Sequence, residues 1–282
     1  MEYRILESAD EINEYTEGLK KNKQTTIAVD FEGEFNLHAY GERLCLVQIY
    51  DGNDAWIIDP LKADMQAVKK LFEDERILKI MWDAQSDISL IVNGYSMTMK
   101  SVLDLRPAAD LLELPKKDYA SVTSELLGIE KKAGKSMFQK YNWMRRPIDK
   151  AAVEYALNDV LHLHSLRDEV FTKLHAQNLM NEFFRLNMIV QNRNYVRIPG
   201  QRHKKMKGYR YLSSSEKKKL KIMFEIRDGF AQRLNWPPHR VIANPDLIEL
   251  SKGFANPDYI RFDRKLKPAI REEIILELRS SS

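Results

Sequence analysis

Asp30 and Glu32 stand two residues apart at the end of an apolar run, Thr26-Ile-Ala-Val-Asp30. Such a run reads as a buried strand, where residues two apart share a face, so both carboxylates point the same way. Asp87 follows in mid-chain, and then Tyr155-Ala-Leu-Asn-Asp159. That last segment lies in a helical stretch, where a spacing of four puts Tyr155 and Asp159 on one side, a turn apart. Carboxylates gathered in a fold repel one another and are costly to desolvate, and a cation relieves both penalties. All-oxygen ligands select hard ions, Mg²⁺ or Mn²⁺, and two such ions with a water are the equipment of phosphodiester hydrolysis. Taken singly, each piece is ordinary. An acidic pair at a strand end is often a solvated loop entry, and Tyr-x-x-x-Asp is often a core ring beside a surface acid. Their order and setting join them.

The elements that must hold these residues follow from pattern. Strands are expected at Thr25–Val29, Leu44–Tyr50 and Ala55–Ile58, with Asp51-Gly-Asn-Asp54 turning the second into the third. A helix from about Ala63 to Phe72 and a strand at Ile77–Trp82 come next. Ser86–Asn93, Val102–Leu105, Arg106–Leu112 and Tyr119–Leu127 then alternate, the last closed by Gly128. Hairpin strands followed by alternating helices and strands imply an α/β fold with a mixed sheet covered by helices. Pro147 opens one long helix through Asp149–Leu174, and another spans about Met180–Asn192. Beyond these, Ser213-x-x-Glu216 reads as a capping box, and Asn244-Pro245 and Asn256-Pro257 as N-caps with proline at the first helical position. Leu220, Met223, Phe224 and Phe230 recur at roughly helical spacing as core. The second part is therefore small and all-helical.

The chain has 282 residues, 44% hydrophobic and 30% charged, so it can bury a core and is not disordered overall. One cysteine, Cys45 in Leu44-Cys-Leu-Val47, excludes an intrachain disulfide and reads as a small buried side chain. No signal-type apolar segment opens the chain and no 18-residue apolar run occurs, which predicts a cytoplasmic protein without membrane contact. The net charge of +4 is unevenly spread. Residues 1–192 hold 24 Lys/Arg against 31 Asp/Glu, a net of −7, and residues 193–282 hold 21 against 10, a net of +11. Within 193–221 there are eleven cations, a single acid, Glu216, and the rings of Tyr195, Tyr209 and Tyr211. That mixture suits phosphate binding with base stacking, and it also fits a solvated face.

At these residues the chain resembles the ribonuclease D family of 3′→5′ exonucleases, within the DEDD superfamily and its tyrosine subclass. The first motif matches as Val29-Asp30-Phe31-Glu32 followed by Arg43-Leu-Cys-Leu-Val-Gln-Ile49. The second matches as Lys79-Ile-Met-Trp-Asp-Ala-Gln-Ser-Asp87, and the third as Tyr155-Ala-Leu-Asn-Asp159-Val-Leu-His-Leu163. Phe138-Gln-Lys-Tyr-Asn-Trp-Met-Arg-Arg-Pro-Ile148 is similar to the stretch ahead of the last motif. Phe224-Glu-Ile-Arg-Asp228 and Asn235-Trp-Pro-Pro-His-Arg-Val-Ile242 are similar to the helicase-and-ribonuclease-D C-terminal (HRDC) domain. Family members often carry His five residues before the second-motif acid; here that position is Trp82, which bears on substrate handling. The sister subclass has His where this chain has Glu154, so Tyr155 decides the subclass.

The resemblance implies a ribonuclease H-like fold, a mixed five-stranded sheet flanked by helices, over residues 1–192. A basic linker would occupy 193–209 and an HRDC-like helical domain 210–282. It implies two divalent ions, Mg²⁺ or Mn²⁺, with Asp30, Glu32 and Asp159 on one, Asp30 on the second, and Asp87 acting mainly through bound water. Tyr155 would position the attacking water, and is a poor base because free tyrosine titrates near about 10. The substrate would be RNA, trimmed from its 3′ end to 5′-mononucleotides: tRNA precursors or other structured RNA with a single-stranded 3′ tail. Phe31 faces away from the two acids it separates, leaving its backbone to meet the terminal nucleotide. Trp82, Lys135, Gln139, Trp143 and Arg146 would line the groove, although Trp143 fits a core position equally well. Two rivals stand beside this reading. A nuclease fold that binds without cutting should have lost an acid, and all four are present. A DNA exonuclease would keep the same metals.

Overall fold

The computed structural model describes residues 2–130, 138, 140–198 and 200–280. Backbone contacts divide the chain into two compact units, residues 1–33 with 43–196, and residues 34–42 with 197–282.

The first unit is built on a sheet of six strands: β1 (Arg4–Leu6), β2 (Thr26–Phe35), β3 (Glu42–Tyr50), β4 (Ala55–Ile58), β5 (Leu78–Met81) and β6 (Val102–Asp104). Their order is β1-β4-β3-β2-β5-β6. β1 runs parallel to β4, β5 parallel to both β2 and β6, and β3 antiparallel to β4. The sheet has one strand more than the five expected. The addition is β1, a three-residue edge strand too short to show alternation. Between β3 and β4 the expected turn is present: Tyr50 pairs with Ala55, and the Asp51 carboxylate accepts the N–H groups of Asn53 and Asp54 and the Trp56 indole N–H.

Helices cover both faces. One layer holds α1 (Ala9–Lys21), α2 (Met65–Glu73) and α3 (Gln85–Tyr95); the other holds α4 (Arg106–Leu111), α5 (Tyr119–Leu127), α6 (Lys150–Leu161), α7 (Leu163–Ala176) and α8 (Met180–Asn192). β2 shows how the layers sort its side chains. Ile27, Val29 and Phe31 join Ile12, Phe72 and Ile88 in one core, while Ala28 joins Ala156, Leu157 and Val160 of α6 in the other. The period of two thus sends the even positions, including Asp30 and Glu32, toward α6. The long helix expected over 149–174 is two helices, broken at His162.

Lys79 on β5 is fully buried, and its ammonium donates to the carbonyls of Asp74 (2.7 Å) and Lys100 (3.0 Å). Burial pulls its pKa down to about 8, against the opposing pull of Asp74 and Glu75. Below pH 8 the amine is charged in both folded and unfolded chains. Between about 8 and 10.5 only the unfolded chain holds the proton, so stability rises with pH there, by on the order of 3 kcal/mol in all. In urea unfolding at pH 7.5 and pH 10, the wild type should gain on Lys79→Met. No relative gain would mean that the amine is solvated.

The second unit is helical: α9 (Ser214–Leu234), α10 (Pro238–Val241), α11 (Asn244–Ser251) and α12 (Pro268–Ser280). The capping box is present, with Ser213 Oγ accepting from Glu216 N–H and the Glu216 carboxylate accepting from Ser213 N–H. Leu220, Met223, Phe224 and Phe230 pack with Leu247, Leu266, Ile274 and Leu278. Asn256 caps a short turn as expected, but Asn244 is already helical and its side chain accepts from the buried Arg227. Residues 34–42, the tip between β2 and β3, belong to this unit because Tyr40 donates to Asp228 (2.6 Å) and Glu42 pairs with Arg197 and Arg202. Among the described residues no helix is long and apolar enough to cross a membrane.

Candidate active site

Asp30 and Glu32 leave the even face of β2, and Asp159 stands in the last turn of α6 packed over that face. One oxygen from each carboxylate lies within 4.8 Å of the others, and all three residues are half-buried. At an effective dielectric of about 20, unit charges this close repel by at least about 3 kcal/mol per pair. A hard divalent cation fits this all-oxygen donor set and removes that repulsion.

Tyr155 lies one turn before Asp159. Burial, then the charges of Asp159, Glu32 and Asp30, push its phenol well above the ordinary tyrosine value. The neutral phenol, which can donate a hydrogen bond, is thereby favoured. Its ring is stacked on Phe138, with centroids 4.9 Å apart and planes at 27°.

Asp87 occupies the first turn of α3, outside the trio. Burial and the carboxylates of Asp30, Asp83 and Asp104 hold it well above the usual carboxylate range. Its helix begins at Ala84 without a side-chain cap of its own. The cap comes from β6 instead: Asp104, almost fully buried, accepts the N–H groups of Asp83 (2.8 Å), Ala84 (3.2 Å) and Arg106 (2.9 Å). Asp104 thus fixes the turn that aims Asp87, and no local sequence signal marks it, because donor and acceptor are some twenty residues apart. Tyr119 was equally silent in the sequence. Its buried ring lies against Trp82 (5.8 Å), its hydroxyl donates to the Asn158 carbonyl (3.3 Å), and burial with the charge of Asp159 raises its pKa.

The expected groove residues fare differently. Phe31 is core, its ring against Phe72 at 5.3 Å. Trp143 is 4% exposed and packs edge-on against Tyr141, so it offers no stacking platform. Arg146 does not face a groove. Its guanidinium grips Asp59 through two bonds (2.7 and 2.6 Å) and also donates to the carbonyls of Cys45, Trp143 and Arg145. With its donors used internally, it has none to give a phosphate. Trp82 is partly buried and packs on Tyr119. Lys135 and Gln139 lie outside the described residues.

The sequence pattern of the 3′→5′ exonuclease family matches residues 3–175. The chain belongs to the 3′→5′ exonuclease family. A ribonuclease D from Desulfotalea psychrophila is 29% identical to this exonuclease-family chain over 248 residues, covering 84% of it. The chain spans just under two thirds, 65%, of that relative's length. Among solved structures, Escherichia coli RNase D, described as an exoribonuclease involved in structured RNA processing, superimposes with a TM-score of 0.77 at 18% identity. The match covers 100% of this chain and 75% of that one. Brucella melitensis NrnC with bound Mg²⁺ matches at a TM-score of 0.53 and 22% identity, over 67% of this chain and 88% of its own. At such identities both structures share the exonuclease fold with this chain.

Proposed function

We propose that this protein is a metal-dependent 3′→5′ exoribonuclease that removes 5′-mononucleotides from RNA. The observation carrying this reading is the convergence of the carboxylates of Asp30, Glu32 and Asp159, with Tyr155 one turn before Asp159 on the same helix. Asp30, Glu32 and Asp159 would hold one divalent ion and Asp30 a second, Mg²⁺ or Mn²⁺, with Asp87 contributing through water. Such ions supply an activated nucleophile and charge stabilisation at the scissile phosphate. Tyr155 then donates its hydroxyl proton in a hydrogen bond that orients the attacking water. The backbone at Phe31 approaches the terminal nucleotide. Mg²⁺ in the related Brucella structure and the ribonuclease D relatives support the ion and the RNA substrate.

The test is digestion of matched RNA and DNA oligonucleotides, 5′-labelled, with Mg²⁺, with Mn²⁺ and with chelator. Single-nucleotide shortening of RNA that stops in chelator is expected. Equal or better cutting of DNA would reassign the substrate, and undiminished cutting in chelator would sink the metal reading.

We further assign residues 1–192, apart from the tip 34–42, to the nuclease, 193–209 to a basic linker that joins the second unit from residue 197 and buries His203 and Met206 there, and 210–282 to an HRDC-like domain that anchors tRNA precursors or other structured RNA in the cytoplasm. Lys204, Lys205 and Lys207 are exposed in the linker. Replacing all three by glutamine should weaken binding of a tRNA-like substrate and lower its salt slope by roughly 0.7–0.9 for each phosphate no longer neutralised. A short unstructured oligonucleotide should be cut nearly as before. Unchanged tRNA affinity and slope would leave these cations as a solvated face.

A further inference from the structure

Arg146 and Phe138 are the two ends of one device. The strap formed by residues 140–149 runs into the start of α6, and its contacts reach both the sheet and the site. At one end, the Arg146 guanidinium is locked on Asp59, just past β4, and on the Cys45 carbonyl of β3. The pair is well shielded, with side chains 20% and 7% exposed. In the middle, the Tyr141 hydroxyl accepts the N–H of Asp149, the residue that begins α6 and has no side-chain cap bond of its own. The Trp143 ring packs edge-on against Tyr141 at 4.8 Å. Tyr141 in turn touches the Phe138 ring (6.0 Å), and Phe138 lies flat against Tyr155 (4.9 Å).

This chain of contacts bears on chemistry because α6 alone does not fix a tyrosine ring. A half-buried tyrosine retains torsional freedom at its side chain, and a stacked neighbour restricts it. We propose that Phe138 is a positioning residue for the Tyr155 hydroxyl, held in place by the strap whose anchor is the Arg146–Asp59 ion pair. The inference rests on the role given to Tyr155 above. Phe138 acts through the ring it faces.

A double-mutant cycle separates this from ordinary packing. Initial rates are measured on a 5′-labelled single-stranded RNA oligonucleotide in saturating Mg²⁺ for the wild type, Phe138→Leu, Tyr155→Phe and the double variant. Phe138→Leu should lower kcat about tenfold, the scale of a modest misplacement of a positioned group. KM and the calorimetric affinity for Mg²⁺ should stay within about twofold, since the carboxylates are untouched. In the Tyr155→Phe background the same substitution should cost almost nothing further. If Phe138→Leu does not fold by circular dichroism, Phe138→Met keeps the apolar volume without the flat face and takes its place. Equal losses in both backgrounds, or an undiminished kcat in Phe138→Leu, overturn the positioning role while leaving Tyr155 in place. A fully active Tyr155→Phe overturns the hydroxyl's role and the inference with it.

Discussion

Asp30→Asn and Asp159→Asn should each lose at least about a thousandfold in kcat, on the scale of removing a major stabiliser of transition-state charge. Calorimetric titration with Mg²⁺ should show weakened binding in both. The same variants should melt no lower than the wild type in chelator. The geometry dictates the sign: three carboxylates whose oxygens lie within 4.8 Å repel one another without a cation, and the amide removes one of those charges. Asp87→Asn should be milder, a loss of roughly ten to a hundredfold, because Asp87 stands outside the trio and acts on it indirectly. A variant of Asp30 that is inactive but also strongly destabilised in chelator would make that carboxylate structural. A loss at Asp87 as large as that at Asp30 would move it into the inner ligand set.

The two halves of the trio were legible because each signal is local, and their order and the family resemblance joined them. Strand period brings Asp30 and Glu32 onto one face, and helix period puts Tyr155 beside Asp159. What sequence cannot show is partnership across the fold. Asp104 reads as a strand-end acid, yet it supplies the missing cap of α3 from another strand. Arg146 reads as a cation ahead of a catalytic helix, and its type fits a phosphate as well as a carboxylate. Only the position of Asp59, 87 residues earlier, decides between them. Some misses were local. Ser8-x-x-Glu11 is a complete capping box with Ile12, Tyr15 and Leu19 at helical spacing, so α1 was readable and lay outside the expected elements. The break at His162 carries no glycine or proline, so no local punctuation marks it.

Tyr155→Phe should lower kcat by roughly ten to a thousandfold, with KM and Mg²⁺ affinity little changed. Phenylalanine keeps the ring against Phe138 and removes the hydroxyl alone, so folding should survive. The pH profile distinguishes the two ways a tyrosine hydroxyl can act. Burial favours the neutral phenol, and free tyrosine titrates only near about 10, so the wild type should show no titration of this group over roughly pH 6 to 9.5. A hydrogen-bond donor predicts that wild type and Tyr155→Phe trace the same curve, displaced by a constant factor. A general base predicts a wild-type rate that climbs with pH through the phenol's titration and a variant that lacks the climb. Parallel curves over roughly pH 6 to 9.5 support orientation of the water by the neutral hydroxyl. A rising limb lost in Tyr155→Phe would make the tyrosinate the base. An unaltered rate at every pH would return Tyr155 to the core ring that its helix position alone suggests.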